Sequence, residues 1–173
     1  MNYIIPLLII SIYLPIFILA FTSKPFKKKF MKVHSKNNNQ QLIEVLIGLL
    51  YFLVILSSVF SAISYKRLHL LMGALLYIIG LIIAFLGYVS FDQTPKDQLA
   101  KNFPYNISRN PTYFYGFIAI LGIAVLTTSM PIFVLLIIQF ILTDKVIKYE
   151  EEYCAKKYKK EYAIYKKKVG RYI

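Results

Sequence analysis

Hydrophobic and polar positions are grouped along this chain in long blocks rather than in short amphipathic periods. Four stretches carry no Asp, Glu, Lys or Arg: Met1 to Ser23, Val45 to Tyr65, Leu68 to Phe91, and Asn110 to Thr143. Each of the first three matches the roughly 20 residues that a helix needs to cross a hydrocarbon core about 30 Å thick. The fourth is 34 residues long, a rod of about 51 Å at 1.5 Å per residue. That is too long for one crossing and suits two short ones. Thr127-Thr128-Ser129-Met130-Pro131 supplies the break, with Pro131 placed to begin a helix. The pattern predicts spans at 3–22, 42–64, 68–90, 112–127 and 131–147, the last two forming a helical hairpin.

Beyond the fifth span, the tail from Asp144 to Tyr165 reads as a continuation of the same helix. Tyr149, Tyr153, Lys156 and Lys160 fall at helical steps, as do Tyr158, Tyr162 and Tyr165. Tyrosine stripes with interleaved lysines mark an interfacial helix whose lysines snorkel. At the other end, the first apolar stretch lacks a basic n-region and exceeds the 7–15 residues of a signal-peptide h-region, so it reads as a retained span. Membrane helices tolerate its Pro6 and Pro15. The expected fold class is therefore all-α, an integral membrane bundle of about five transmembrane helices. It has a helical hairpin at spans 4–5, a cytosolic C-terminal helix and a single domain over 1–173, with 1–67 as its N-terminal spans.

Composition agrees: 58% of residues are hydrophobic and only 17% charged, against about 25% in soluble domains. The formal net charge of +13 raises the question of nucleic acid, and its distribution answers it. Of the 21 basic residues, 19 lie in three segments, Lys24 to Lys36, Lys96 to Arg109 and Lys145 to Arg171. In the five-span topology all three share one side, which the positive-inside rule makes cytoplasmic. The N-terminus is then outside, and the C-terminus faces the cytosol. A single span over 110–143 would put the most basic segment outside, so charge parity also requires the hairpin. The basic tail reads as a topology signal and a contact for anionic lipid head groups, not as a nucleic-acid surface.

The single Cys154 excludes an intramolecular disulfide and a cysteine-rich metal site, and reads as a packing residue. His34 and His69 fall on opposite sides of the membrane, which argues against a histidine metal site or dyad. No metal is expected. The hairpin brings two polar clusters to one face. In the first, Ser108-Arg109-Asn110-Pro111-Thr112-Tyr113 opens a helix, with Ser108, Asn110 or both as its cap. A helix N-terminus suits a carboxylate or phosphate, Arg109 adds a fork for the same anion, and Tyr105 and Tyr113 offer flat faces to an adenine or a cation. The plain alternative is a helix cap with an interfacial arginine. In the second cluster, Glu150-Glu151-Glu152 follow a membrane helix, and helical geometry lets at most two of them serve one site. Such carboxylates could bind ribose hydroxyls or an ammonium; alternatively they pair with lysines, as Glu152 with Lys156. Glu44, at the cytoplasmic mouth of the second span, reads as a helix N-terminal charge, with a substrate contact as the lesser alternative.

Pro104-Tyr105, then Ser108-Arg109-Asn110-Pro111-Thr112-Tyr113, a hydrophobic hairpin, Glu150-Glu151, and Tyr158, Tyr162, Tyr165, Val169 and Arg171 follow one another in a family order. The chain resembles the isoprenylcysteine carboxyl methyltransferase and phospholipid methyltransferase group of membrane enzymes over its last 70 or so residues. Their signature is Gly-Pro-Tyr, Arg-His-Pro-x-Tyr-x-Gly, Glu-Glu, then an aromatic-Gly-x-x-Tyr-x-x-Tyr stretch ending in Val-Pro-Arg. Here Asn110 stands for the usual His and Tyr115 for the usual Gly, with Gly116 one residue late. Phe103, Lys159 and Gly170 replace Gly, Gly and Pro.

The resemblance implies an S-adenosylmethionine-dependent enzyme with 101–173 as its cofactor-binding core. Tyr105, Arg109, Asn110, Pro111 and Tyr113 then form the loop side of the cofactor site, and Glu150 and Glu151 the helix side. Glu152 is the extra glutamate. Arg171 and Arg109 are the catalytic candidates, holding an anionic acceptor group. A carboxylate acceptor needs no proton removed, and with no histidine in either cluster it is slightly favoured over an amine. The expected substrate is lipophilic and enters laterally from the bilayer. The competing readings are a phospholipid or other amine N-methyltransferase, a nicotinamide-dependent enzyme like the membrane sterol reductases, and a non-enzymatic membrane scaffold.

Overall fold

A computed structural model describes residues 4–23, 38–64 and 66–173. The lysine-rich segment from Lys24 to Lys36, with His34, lies outside the described residues. Five helices are described: α1 (Ile4–Thr22), α2 (Asn38–Val59), α3 (Arg67–Gln93), α4 (Pro111–Thr127) and α5 (Met130–Lys168). Among the described residues there is no strand, only an isolated parallel bridge between Ser108 and Gly170. The all-α bundle with its hairpin is the fold expected from the sequence.

The largest shift is in α2, which starts before and ends ahead of the expected 42–64. Charge marked those bounds, but hydrogen bonding sets the end. Ser58 and Ser61 turn their hydroxyls back onto the carbonyls of Ile55 and Ser57, and the Ser64 amide leaves to bond the Leu126 carbonyl at 2.8 Å. α2, α3 and α5 are long and apolar enough to cross a membrane, while α4 is shorter. Leu71, Leu75, Ile78, Ile82 and Phe85 of α3 are all exposed. Such an outward apolar surface suits lipid rather than water. The chain is an integral membrane protein.

In lipid the hydrophobic effect does not press helices together, so close packing must. The α3–α4 seam achieves it with glycines. Gly73, Gly80 and Gly87 recur every seventh residue on α3; Gly73 faces Gly122 of α4, Gly80 faces Ala119, and Gly87 faces Thr112. A Cβ on Gly80 would stand 2.5 Å from the Ala119 amide nitrogen, and one on Gly122 2.5 Å from that of Tyr77. The backbones touch. Around this seam the core gathers Ile5 and Ile9 of α1, Val54 of α2, Ile120 and Ile123 of α4, and Ile132 of α5.

Thr128, in the left-handed region at φ 49°, and Ser129 turn α4 into α5. At 39 residues, α5 is about 58 Å long and outruns any bilayer. Its tail is helical as expected, but the helix breaks at Lys159 (φ 44°, ψ −115°). Ser23 bonds Asp92 at one end of the bundle, and Ser61 bonds Ser129 at the other. The start of α4 and the middle of α5 meet at the Ser23–Asp92 end.

Candidate active site

The loop from Thr94 to Asn110 has little apolar surface to bury, and its backbone is held by the tail. The Arg109 amide donates to the Gly170 carbonyl at 3.0 Å, and Ser108 Oγ donates to the Arg171 carbonyl at 3.2 Å. Tyr165 donates its hydroxyl to the Tyr105 carbonyl at 2.6 Å, and Tyr158 donates to that of Gln98 at 3.0 Å. Lys157 reaches the Lys96 carbonyl, and Lys101 pairs with Glu161. The tyrosine stripes of the tail thus strap down the loop that precedes α4.

Asn110 occupies the N-cap of α4, yet its side chain does not cap. Its Nδ2 donates to the Arg171 carbonyl at 3.2 Å and to Glu151 Oε1 at 3.4 Å. In place of the expected Asn110 cap there is a tie across the site, in which the side-chain amide nitrogen joins the tail carbonyl and the Glu151 carboxylate. Ser108 Oγ accepts from the Asn110 amide instead.

Glu150 and Glu151 are adjacent and differently employed. Glu151 is buried and clamped: Arg109 Nη2 lies 3.1 Å from Oε1, and Arg171 Nη2 lies 2.9 Å from Oε2 with its Nε 3.2 Å from Oε1. Arg171 also pairs with Asp144 at 3.3 Å, which accepts from Tyr172 at 2.6 Å. Glu150 instead accepts the Tyr113 hydroxyl at 2.5 Å. Glu152, one residue on, is exposed.

Glu150 opens on a cavity of about 380 Å³, within the range of small-molecule sites. Tyr51, Tyr88, Tyr105 and Tyr113 line it, with Glu44 entering from α2. Burial, with Glu150 adding to it, holds the Tyr105 phenol well above its ordinary value, so it stays neutral. The same two causes push the Cys154 thiol up to about 12, which makes it a poor nucleophile.

Of the residues singled out in the sequence, Tyr105, Arg109, Asn110, Tyr113, Glu150 and Glu151 all border this cavity. Pro111 is buried beneath it, against the space that a Cβ on Gly87 would take. Arg171 is not among the lining residues; it stands behind Glu151. Glu44 lines the cavity too, as do Tyr51, Tyr88, Gln139 and Thr143, which the sequence motifs do not single out. Gln139 had a legible signal, being the one strongly polar side chain in 131–142. No group of three or more His, Cys, Asp or Glu able to hold a metal occurs among the described residues.

The structure is thus a membrane bundle with a tyrosine- and carboxylate-lined chamber where two hairpin helices meet a strapped loop. A family model described as phospholipid methyltransferase matches residues 43–161, about two thirds of the chain. The chain belongs to the phospholipid methyltransferase family, and that membership implies methyltransferase activity. No curated protein and no solved structure gives a significant match.

Proposed function

We propose that this protein transfers a methyl group from S-adenosylmethionine to the amine of a membrane lipid, with the chamber between α2, α4 and α5 as the active site. The observation that carries this reading is the wall of the chamber, where Tyr51, Tyr88, Tyr105 and Tyr113 stand among the lining residues together with Glu44 of α2 and Glu150 of α5. Aromatic faces and carboxylates are the groups that hold a cation, and both a sulfonium and an ammonium are cations. The donor set therefore fits the cofactor. S-adenosylmethionine, when bound, supplies an electrophilic methyl group.

The residues divide the work. Glu150, oriented by the Tyr113 hydroxyl, holds the cofactor's hydroxyls or ammonium. Arg109, Asn110 and Glu151 fix the loop that flanks it. Pro111 sets the start of α4 beneath that loop, and Tyr105 offers it a flat apolar face. Glu44, held by Gln40 Nε2 at 2.9 Å, takes the proton that a lipid ammonium must lose before its nitrogen can attack. Positioning supplies the remainder.

This reverses the slight preference for a carboxylate acceptor. Both guanidiniums expected to hold an anion pair with Glu151, and Arg171 with Asp144 as well. Family membership favours methyl transfer over the nicotinamide and scaffold readings. The lipid reaches the chamber from the bilayer on the side of the basic segments, which we assign to the cytosol, with the N-terminus opposite; anionic head groups meet the lysines of the tail. The test is methyl incorporation from labelled cofactor into vesicles of aminophospholipid, with carboxyl-terminated lipid as the comparison. Label in the amine lipid, with at least a hundredfold loss of turnover in Glu44→Gln, is expected. Label confined to the carboxyl lipid overturns the amine reading.

A further inference from the structure

The inner end of the chamber holds two polar side chains that the reaction above does not use. Gln139 is fully buried and Thr143 nearly so, and both border the cavity. Neither the amide nitrogen nor the amide oxygen of Gln139 has a hydrogen-bond partner, and neither has the Thr143 hydroxyl. They lie four residues apart on α5, on one helical face. Ile12, Ala84, Phe117 and Ile120 also line this cavity. An amide and a hydroxyl left unbonded in such a place are costly, and more so where no bilayer water can reach them.

Their depth gives the clue to what satisfies them. Thr143 and Gln139 precede Glu150 by seven and eleven residues on a helix regular over that stretch, or about 10 and 16 Å along its axis. The chamber is thus charged and aromatic at one end and carries a neutral hydrogen-bonding pair well inside the apolar zone. A ligand filling both ends needs a cationic head and, about 10 Å or more away, a group that accepts hydrogen bonds without carrying charge. An acyl ester or amide carbonyl meets that description. A charged phosphate does not, because among the described residues the basic groups of the cavity wall, Lys96, Arg109 and Lys157, belong to the loop and tail at the glutamate end.

We propose that Gln139 and Thr143 form a carbonyl-recognition subsite that selects ester- or amide-linked lipids as acceptors. The subsite rests on the chamber being the acceptor site proposed above, and makes these two residues specificity determinants. Gln139 donates through Nε2 and Thr143 through Oγ1 to the linkage carbonyl; the head group is left at the glutamates.

The experiment compares two probes on the full chain in detergent: dihexanoyl phosphatidylethanolamine and its dihexyl ether analogue, which lacks the carbonyls. Dissociation constants for each lipid, and separately for S-adenosylmethionine, are read by calorimetry. Wild type is expected to bind the ester about tenfold more tightly than the ether. Gln139→Met and Thr143→Val should bring the two constants within about twofold of each other while the cofactor constant stays the same. Equal binding of ester and ether by wild type overturns the subsite, and this arm needs no variant to fold. So does a preference that survives both substitutions, which would leave the pair as hosts of a buried water. Ester preference without any cofactor binding would support the subsite and sink the methyltransferase reading; cofactor binding with no lipid bound would do the reverse.

Discussion

The two faces of α4 are built on opposite rules. On one, Ala119 and Gly122 press against α3 so closely that a single added methyl would strike backbone. On the other, Tyr113, Gly116 and Phe117 look into the chamber, and a Cβ on Gly116 would meet nothing within 4 Å. Two glycines six residues apart on one helix thus do unrelated jobs: one removes volume so that helices touch, the other leaves volume for something else. The tight face fixes where the open face stands. A site that must hold a mobile lipid needs such a rigid reference, because positioning is most of the chemistry.

The largest break in this arrangement should come from the clamp that joins loop, tail and α5. Glu151→Ala would leave Arg109 and Arg171 without their shared carboxylate, a loss of about 3–5 kcal/mol for a buried pair. Chemical or thermal unfolding in detergent would show it; a loss under 1 kcal/mol would mean that the ion pairs are weak. Next in size is Gly122→Ala, which should cost up to ~3 kcal/mol by overpacking the seam. Gly116→Ala should leave stability equal or raise it by up to ~1 kcal/mol through helix propensity. If both alanines behaved alike in the same unfolding assay, the contrast between the faces would be wrong.

Lys159 gives a smaller effect of the opposite sign. At φ 44° and ψ −115° it holds a conformation that glycine enters freely and lysine does not, at a position where the family signature has glycine. Lys159→Gly should stabilise the tail by ~1 kcal/mol, read as slower proteolysis beyond residue 159. The smallest expected signal is at Cys154. With its thiol pushed up to about 12 from 9.0, the thiolate fraction at pH 8 is about a thousandfold below that of an ordinary cysteine. Alkylation should be slow in the native protein and fast in the unfolded chain.

Much of the fold was legible because membrane helices announce themselves by length and absence of charge, and charge parity alone required the hairpin. The paired glutamates and the loop that meets them were also legible, through the order of the motif. What the sequence hid was division of labour. Nothing in Glu150-Glu151 says that one faces a cavity and the other is locked between arginines, since that depends on helix phase against a tail that folds back. Arg171 stands behind Glu151 and off the cavity wall for the same reason. Asn110 is a cap by position, and its amide is engaged instead by the Arg171 carbonyl and the Glu151 carboxylate, neither of which is near in sequence. The Gly73, Gly80 and Gly87 repeat was visible, but it acquires meaning only when Gly122 is known to oppose it. Gln139 stood alone in an apolar run, a signal in plain view.

The account turns on whether the chamber beside Glu150 takes up S-adenosylmethionine. Calorimetry on the detergent-purified chain should show saturable binding of the cofactor by wild type and by Glu152→Ala, and none by Glu150→Ala, whose unfolding midpoint should stay close to that of wild type. Absence of binding by wild type, or binding that survives Glu150→Ala unchanged, would contradict it.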